Sequence, residues 1–301
     1  MKQQQEKTNI FIHAFFILFG LACLIPFMMV ISASFSNETD LARYGFRPFP
    51  IKIEYTAYAY LFENPSTIIN AYAVTIFITV VGTFLGVLMM SLSGYALSRD
   101  SFRWKNAVTW FFFFPTLFSG GMVAQYIINT KVLGLTDSIW ALILPSLANV
   151  FHIIMFRTFF KALPEGLFDA AKLDGAGEWR IYSSIALRLS TPVVATIAFL
   201  NAMAKWNEWH NAMLYIRSDT KYPLQYLLQR MMMSIDALLR AMEKVPTQFA
   251  MADLPGENLR MALLVVCIGP MMLVFPFFQK YFTIVACSTS SDVGATEVSP
   301  P

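Results

Sequence analysis

The residues best suited to chemistry lie in two settings. The first is 163–179, LPEGLFDAAKLDGAGEW, a polar stretch between the fourth and fifth of six apolar runs. Its carboxylates, Glu165, Asp169, Asp174 and Glu178, are spaced by small residues and balanced by Lys161, Lys172 and Arg180. Gly166 and Gly175 allow tight turns, and Pro164 ends the helix before them. Leu167, Ala170, Ala171 and Leu173 make a small apolar face on a helix of one to two turns. This is recognition chemistry: a docking surface for another protein or, on the same residues, an amphipathic turn at a membrane interface.

The second setting is a set of polar side chains inside apolar runs, where such groups are costly and are functional candidates by default. Ser146, Asn149 and His152 fall at i, i+3 and i+6, and Asn201, Lys205 and Glu208 do likewise, with Trp206 and Trp209 beside them. Asparagine offers sugar hydroxyls both a donor and an acceptor, and aromatic faces stack on sugar rings. Lys205 suits an anionic cargo. The same residues would also serve helix–helix hydrogen bonding, with a Lys205–Glu208 pair at i, i+3.

The elements that must position these groups are membrane spans. The chain of 301 residues is 56% apolar and 14% charged, against roughly 25% charged in a soluble domain. Stretches free of Asp, Glu, Lys and Arg run over 8–37, 64–98, 106–130, 138–156, 189–204 and 261–279. A spanning helix takes about 20 mostly apolar residues. The reading is an all-α polytopic membrane protein with six transmembrane helices, at about 9–35, 70–98, 106–130, 138–160, 183–213 and 260–282. The first run is too long for a secretory signal and reads as an uncleaved span. Residues 163–182 form the loop between spans four and five, and 283–301 is a polar tail expected to be disordered. After Pro223, apolar residues from Leu224 to Met242 recur at helical spacing. Gly82 and Gly86, four apart in span two, suit close helix packing. Pro26, Pro115, Pro145, Pro192, Pro270 and Pro276 predict kinks.

Several classes are excluded. No G-x-x-x-x-G-K-[ST] loop is present, so the chain does not hydrolyse ATP by that means. His13, His152 and His210 make no metal pair, and Cys23, Cys267 and Cys287 have no ligand spacing. A net charge of +3 does not point to nucleic acid. What remains is a channel-forming subunit that takes its energy from elsewhere. Arg99, Arg103 and Lys105, clustered after span two, place that turn, the 163–182 loop and both termini in the cytoplasm.

The loop 163–179 resembles the EAA loop of ATP-binding-cassette (ABC) importer permeases, with Asp169-Ala170-Ala171 as the acidic-Ala-Ala core and Asp174-Gly175-Ala176 as the following Asp-Gly-Ala. Tyr95-Ala96-Leu97-Ser98-Arg99, Gly134-Leu135-Thr136-Asp137-Ser138 and Trp206-Asn207-Glu208 resemble the sugar-importer branch, similar to the second membrane subunit of a maltose transporter. Phe118-Ser119-Gly120-Gly121-Met122 and Tyr222-Pro223-Leu224-Gln225 resemble permeases for larger oligosaccharides, including acidic ones such as alginate or pectin fragments. Asp169 stands where Glu is usual, Arg188 where Pro is frequent, and the Gly-rich basic tail of the family is missing.

The resemblance implies the type I ABC importer fold in a bacterial cytoplasmic membrane. It implies a second homologous permease, an ATPase dimer docked on Glu165, Gly166, Leu167, Asp169, Ala170, Ala171, Asp174, Gly175 and Ala176, and an extracytoplasmic sugar-binding protein. This chain would hold no cofactor, with ATP and magnesium on the partner ATPase. Asn149, His152, Asn201, Lys205, Trp206 and Glu208 would line the sugar path. Other readings are a permease of the same superfamily for a solute such as glycerol phosphate, a secondary transporter, or a membrane scaffold. The topology is testable: a cysteine introduced beside Glu178 is expected to react with impermeant maleimides only from the cytoplasmic side, and labelling from outside would invert the orientation.

Overall fold

The structure, a computed structural model, describes residues 2–63, 65–118, 120–243 and 256–295. It is all helical, with no strand among the described residues. The helices are α1 (Lys2–Ser34), α2 (Glu38–Tyr44), α3 (Thr56–Leu61), α4 (Pro65–Ser98), α5 (Lys105–Leu117), α6 (Gly121–Ile127), α7 (Trp140–Ile143), α8 (Val150–Lys161), α9 (Glu165–Leu173), α10 (Glu178–Ile181), α11 (Leu187–Leu189), α12 (Thr191–Trp206), α13 (His210–Tyr215), α14 (Leu224–Glu243) and α15 (Glu257–Ala295). Segments of α1, α4 and α15 are each long and apolar enough to cross a membrane. Three bent pairs, Lys105–Leu117 with Gly121–Val132, Trp140–Ser146 with Val150–Lys161, and Glu178–Leu189 with Thr191–Trp206, pass together and bring the spans to six.

The breaks fall beside prolines. The fourth span bends by 51° after a 3-10 turn, Leu144–Ser146, that contains Pro145. The fifth bends by 83° at Ser190, where Pro192 opens α12. A proline lacks the amide that would continue the helix, so the chain changes direction there. Pro26, by contrast, lies within an unbroken α1. The fifth span therefore departs from a simple helix over 183–213: it begins at Glu178, turns at Ser190 and stops at Trp206. Helix α15 runs past the expected end at 282 and into the segment expected to be disordered, which has no proline before Ser299 to stop it. Residues 296–301 lie outside the described ones.

The chain divides into two compact units. One comprises Met1–Ile68 with Leu228–Pro270. In it the Glu38 carboxylate accepts from the backbone amides of Glu257 and Asn258 at 3.1 and 3.2 Å, satisfying donors that the first turn of α15 leaves free. Asn37 Nδ2 donates to both Glu54 oxygens at 3.0 and 2.9 Å, and the Ser34 and Tyr58 hydroxyls lie 3.0 Å apart.

The other unit comprises Ile69–Leu227 with Met271–Pro301. Its largest core joins Met90, Tyr95 and Leu97 of α4, Ile153, Phe156 and Phe160 of α8, Phe168 of α9, Ile181 and Tyr182, and Val193 and Ile197 of α12. The glycines of α4 make this packing possible. A Cβ on Gly94 would stand 2.5 Å from Phe156 Cβ and 3.0 Å from the Arg157 amide nitrogen. Gly86 faces Asn201, and Gly82 faces the Lys205 side chain. The Gly82/Gly86 spacing is thus a packing device. Gly94→Val is expected to separate α4 from α8 and cost about 1–3 kcal/mol by overpacking. It should lower the unfolding midpoint of the purified protein, while Gly20→Ala, in open space, leaves it unchanged.

Candidate coupling site and intramembrane polar seam

Helix α9 is anchored by one side chain and presents others. Phe168 is 3% exposed and packs into the core. The Arg99 guanidinium lies 4.3 Å from its ring centroid, a cation–π contact that covers the ring from the end of α4. Ala171 and Ala176 pack half-buried against the same core. Leu167, Asp169, Ala170 and Asp174 are exposed, and Leu173 is 90% exposed. An apolar side chain held this far into solvent on a short helix is a candidate contact for another protein.

The turn after α9 depends on Gly175 at φ +76°. Its amide donates to Lys172 O at 3.0 Å, and Ala176 N donates to Ala171 O at 2.9 Å, which closes the helix C-terminus. Gly166 was the other expected turn glycine; it lies inside α9, without a positive φ. Glu165 stands in the first turn of α9 and Lys172 in its last, each sign opposing the helix dipole.

Glu178 ties the loop to the membrane helices. Tyr95 OH donates to its Oε2 at 2.6 Å, Arg99 Nε lies 3.9 Å from the same oxygen, and Lys172 Nζ lies 3.6 Å from Oε1. The Tyr182 and Ser91 hydroxyls are 2.8 Å apart. Contacts therefore run from α9 to α4 through Arg99 and Tyr95, and Phe160 of α8 packs in the same core. The sequence reading missed Phe168, Tyr95, Arg99 and Glu178 as one cluster; an aromatic in the middle of a polar loop, Phe168, was the available signal.

The intramembrane polar residues are arranged differently from the sequence reading. Ser146, Asn149 and His152 do not share a continuous helix, because the chain breaks between α7 and α8. Asn149 caps α8, its Oδ1 accepting from Phe151 N at 2.9 Å and His152 N at 3.3 Å. Lys205 does not pair with Glu208. Helix α12 ends at Trp206, and the Glu208 carboxylate instead accepts from Asn211 N and Nδ2, both at 2.9 Å. Lys205 is 2% exposed; its Nζ donates to Leu142 O at 2.9 Å, Ile143 O at 3.2 Å and Ser146 Oγ. Trp206 and Asn201 are also buried. Asn201 Nδ2 and His152 Nδ1 are buried without hydrogen-bond partners among the described residues.

The Gly134–Ser138 turn carries a further tie. The Asp137 carboxylate accepts from Ser218 Oγ at 2.6 Å, the Ser218 and Arg217 amides at 3.0 Å each and Lys221 Nζ at 2.9 Å. The Ser218 hydroxyl and amide, then Lys221 and the Arg217 amide, hold its carboxyl well below the usual carboxylate range. A depressed carboxyl stabilises above its unfolded pKa and loses that contribution as pH falls through the folded one, so the tie persists through mild acid.

Among the described residues no group of three or more His, Cys, Asp or Glu is placed to hold a metal. Residues 9–283 match the family described as binding-protein-dependent transport system inner membrane component, and the chain belongs to it. It is 35% identical over 274 residues to the polygalacturonan/rhamnogalacturonan transport system permease protein YtcP of Bacillus subtilis (strain 168), covering 91% of this chain and 94% of that protein. It is 38% identical over 263 residues to protein LplC of the same organism, covering 87% of each. It superposes with a TM-score of 0.77 and 27% identity on a chain of a bacterial ABC transporter involved in the import of the acidic polysaccharide alginate, over 92% of this chain and 97% of that one. The chain is a membrane transport subunit, not an enzyme.

Removing the α9 anchor tests this geometry. Phe168→Ala is expected to cost about 3–5 kcal/mol of local stability and to speed tryptic cleavage at Lys172. Leu173→Ala should leave that rate unchanged.

Proposed function

We propose that the chain is one of two membrane subunits of an ATP-driven importer for an acidic oligosaccharide, with α9 as the seat of the ATPase. The observation that carries the coupling role is the contrast between buried Phe168 and exposed Leu173 on one short helix. The loop is rigidly held from behind and apolar in front. Support for the cargo comes from two relatives named for uronic-acid polymers, polygalacturonan and alginate.

In this reading both termini and α9 face the cytoplasm of a bacterium. Two ATPase subunits carry ATP and magnesium, and one of them receives Leu167, Ala170 and Leu173. A second, homologous permease completes the pore, and an extracytoplasmic binding protein delivers the sugar. Closure of the ATPases moves α9, and the Phe168–Arg99–Tyr95–Glu178 cluster passes that displacement to α4 and α8. The spans then exchange inward- and outward-facing states. The cargo path runs past the break in the fourth span, where Asn149 is exposed and His152 half-buried. Asn201, Lys205, Trp206 and Glu208 support that path from the fifth span and its end.

Gly175→Val forces a β-branched residue into a left-handed conformation at a cost of about 1–3 kcal/mol. The variant is expected to insert normally but to lose ATPase co-purification and binding-protein-stimulated hydrolysis. Wild-type hydrolysis in that variant would remove α9 as the coupling element. Uptake of labelled oligogalacturonate or oligoalginate by vesicles carrying the assembled transporter tests the cargo; uptake of neutral oligosaccharides alone would refute its acidity.

A further inference from the structure

A helix interrupted inside a membrane leaves carbonyls without amide partners, and lipid offers no replacement. The fourth span is interrupted in this way. Pro145 contributes no amide, and Leu147 N turns back to Leu144 O at 3.3 Å instead of continuing the helix. The Leu142 and Ile143 carbonyls lie at this break, and both accept from the Lys205 ammonium at 2.9 and 3.2 Å. Ser146 Oγ takes the third N–H. An ammonium has three donors and no acceptor, so Lys205 is fully engaged. It reaches this place because Gly82 has no side chain: a Cβ there would stand 3.1 Å from Lys205 Cε. On the far side of the break, Asn149 caps α8 with its own carboxamide.

We infer that Lys205 is a positioning residue that fixes the break of the fourth span, and so sets where Asn149 and His152 stand, without contacting cargo itself. The ammonium joins the outer half of the fourth span to α12, and the capped start of α8 leaves the break from a fixed point. All three N–H groups are taken by neutral carbonyl and hydroxyl oxygens, so none is left to bind a cargo carboxylate. Loss of the ammonium therefore disturbs the path for acidic and neutral sugars alike, which separates this role from that of a charge partner for a carboxylate. The effect on uptake rests on the cargo path proposed above; the placement of the break does not.

The test uses Ala148→Cys, at an exposed position in the break, in a full-length chain whose Cys23, Cys267 and Cys287 are serine. The assembled transporter is reconstituted in vesicles and treated with a soluble maleimide, without ATP or sugar. Lys205→Met, which removes all three bonds, is expected to raise the labelling rate at least about ten-fold, the factor for losing even one charge-assisted bond from an opening equilibrium. Lys205→Gln, which keeps two donors, should recover much of the parent rate, and Ala204→Ser should leave it unchanged. In uptake assays Lys205→Met should lower acidic and neutral cargo by the same factor. Parental labelling in Lys205→Met overturns the inference, as does a loss confined to acidic cargo. If Lys205→Met does not accumulate, Ser146→Ala removes one acceptor and carries the same test, and a parental rate there overturns it. Failure of the parent to take up either sugar would count against the proposed cargo while the labelling result still stands.

Discussion

A membrane span that stops being a helix must find partners for its backbone inside the protein. Much of the second unit follows from that constraint. Water would satisfy the freed groups in a soluble protein, whereas in hydrocarbon each costs several kcal/mol. Here the break in span four is closed from one side by Lys205 and from the other by Asn149. Once these two side chains are committed, α12 must lie against α7, and α4 must lie close enough to need glycine at 82 and 86. The irregular stretch is thus among the most heavily specified parts of the fold.

The loop around α9 solves the opposite problem. It must be stiff towards the bundle and available towards solvent. A helix of nine residues has little stability of its own, so its order comes from tertiary contact. Phe168 supplies the apolar part, and Arg99 lies over its ring while approaching Glu178. Tyr95 completes the set through a short hydrogen bond to Glu178. A solvent-exposed ion pair alone contributes about 0–1 kcal/mol, so the buried aromatic dominates the anchoring and the charges set its direction.

The sequence made some of this legible. Charge-free runs are a property of composition and survive any tertiary arrangement, so six spans could be counted. The polar loop stood out for the same reason, and Gly82 and Gly86 could be read as packing because a missing side chain has few other uses within a span. The partners of Lys205 could not be read. Every residue carries a carbonyl, so a backbone acceptor leaves no mark in the sequence, and the nearest carboxylate, Glu208, was the natural but mistaken pairing. The capping role of Asn149 did not show beside its reading as a sugar ligand, because a cap and a ligand use the same amide. Helical spacing through Ser146, Asn149 and His152 assumed a continuous helix, and Pro145 marks where that assumption fails. Phe168 was hidden by its polar surroundings, which describe the outward face of α9 rather than the inward one.

The bare stretch of α4 has a consequence for how such a subunit can change. Where it meets α12, α4 offers only backbone at Gly82 and Gly86, and even one methyl at 86 would fall 2.5 Å from Asn201 Nδ2. That wall cannot be reshaped by substitution without moving a whole helix. On the proposed cargo path, fitting the seam to a differently shaped solute would fall to α12 or to the Leu147–Asn149 break. The second span would then act as the unyielding wall against which those positions are fitted.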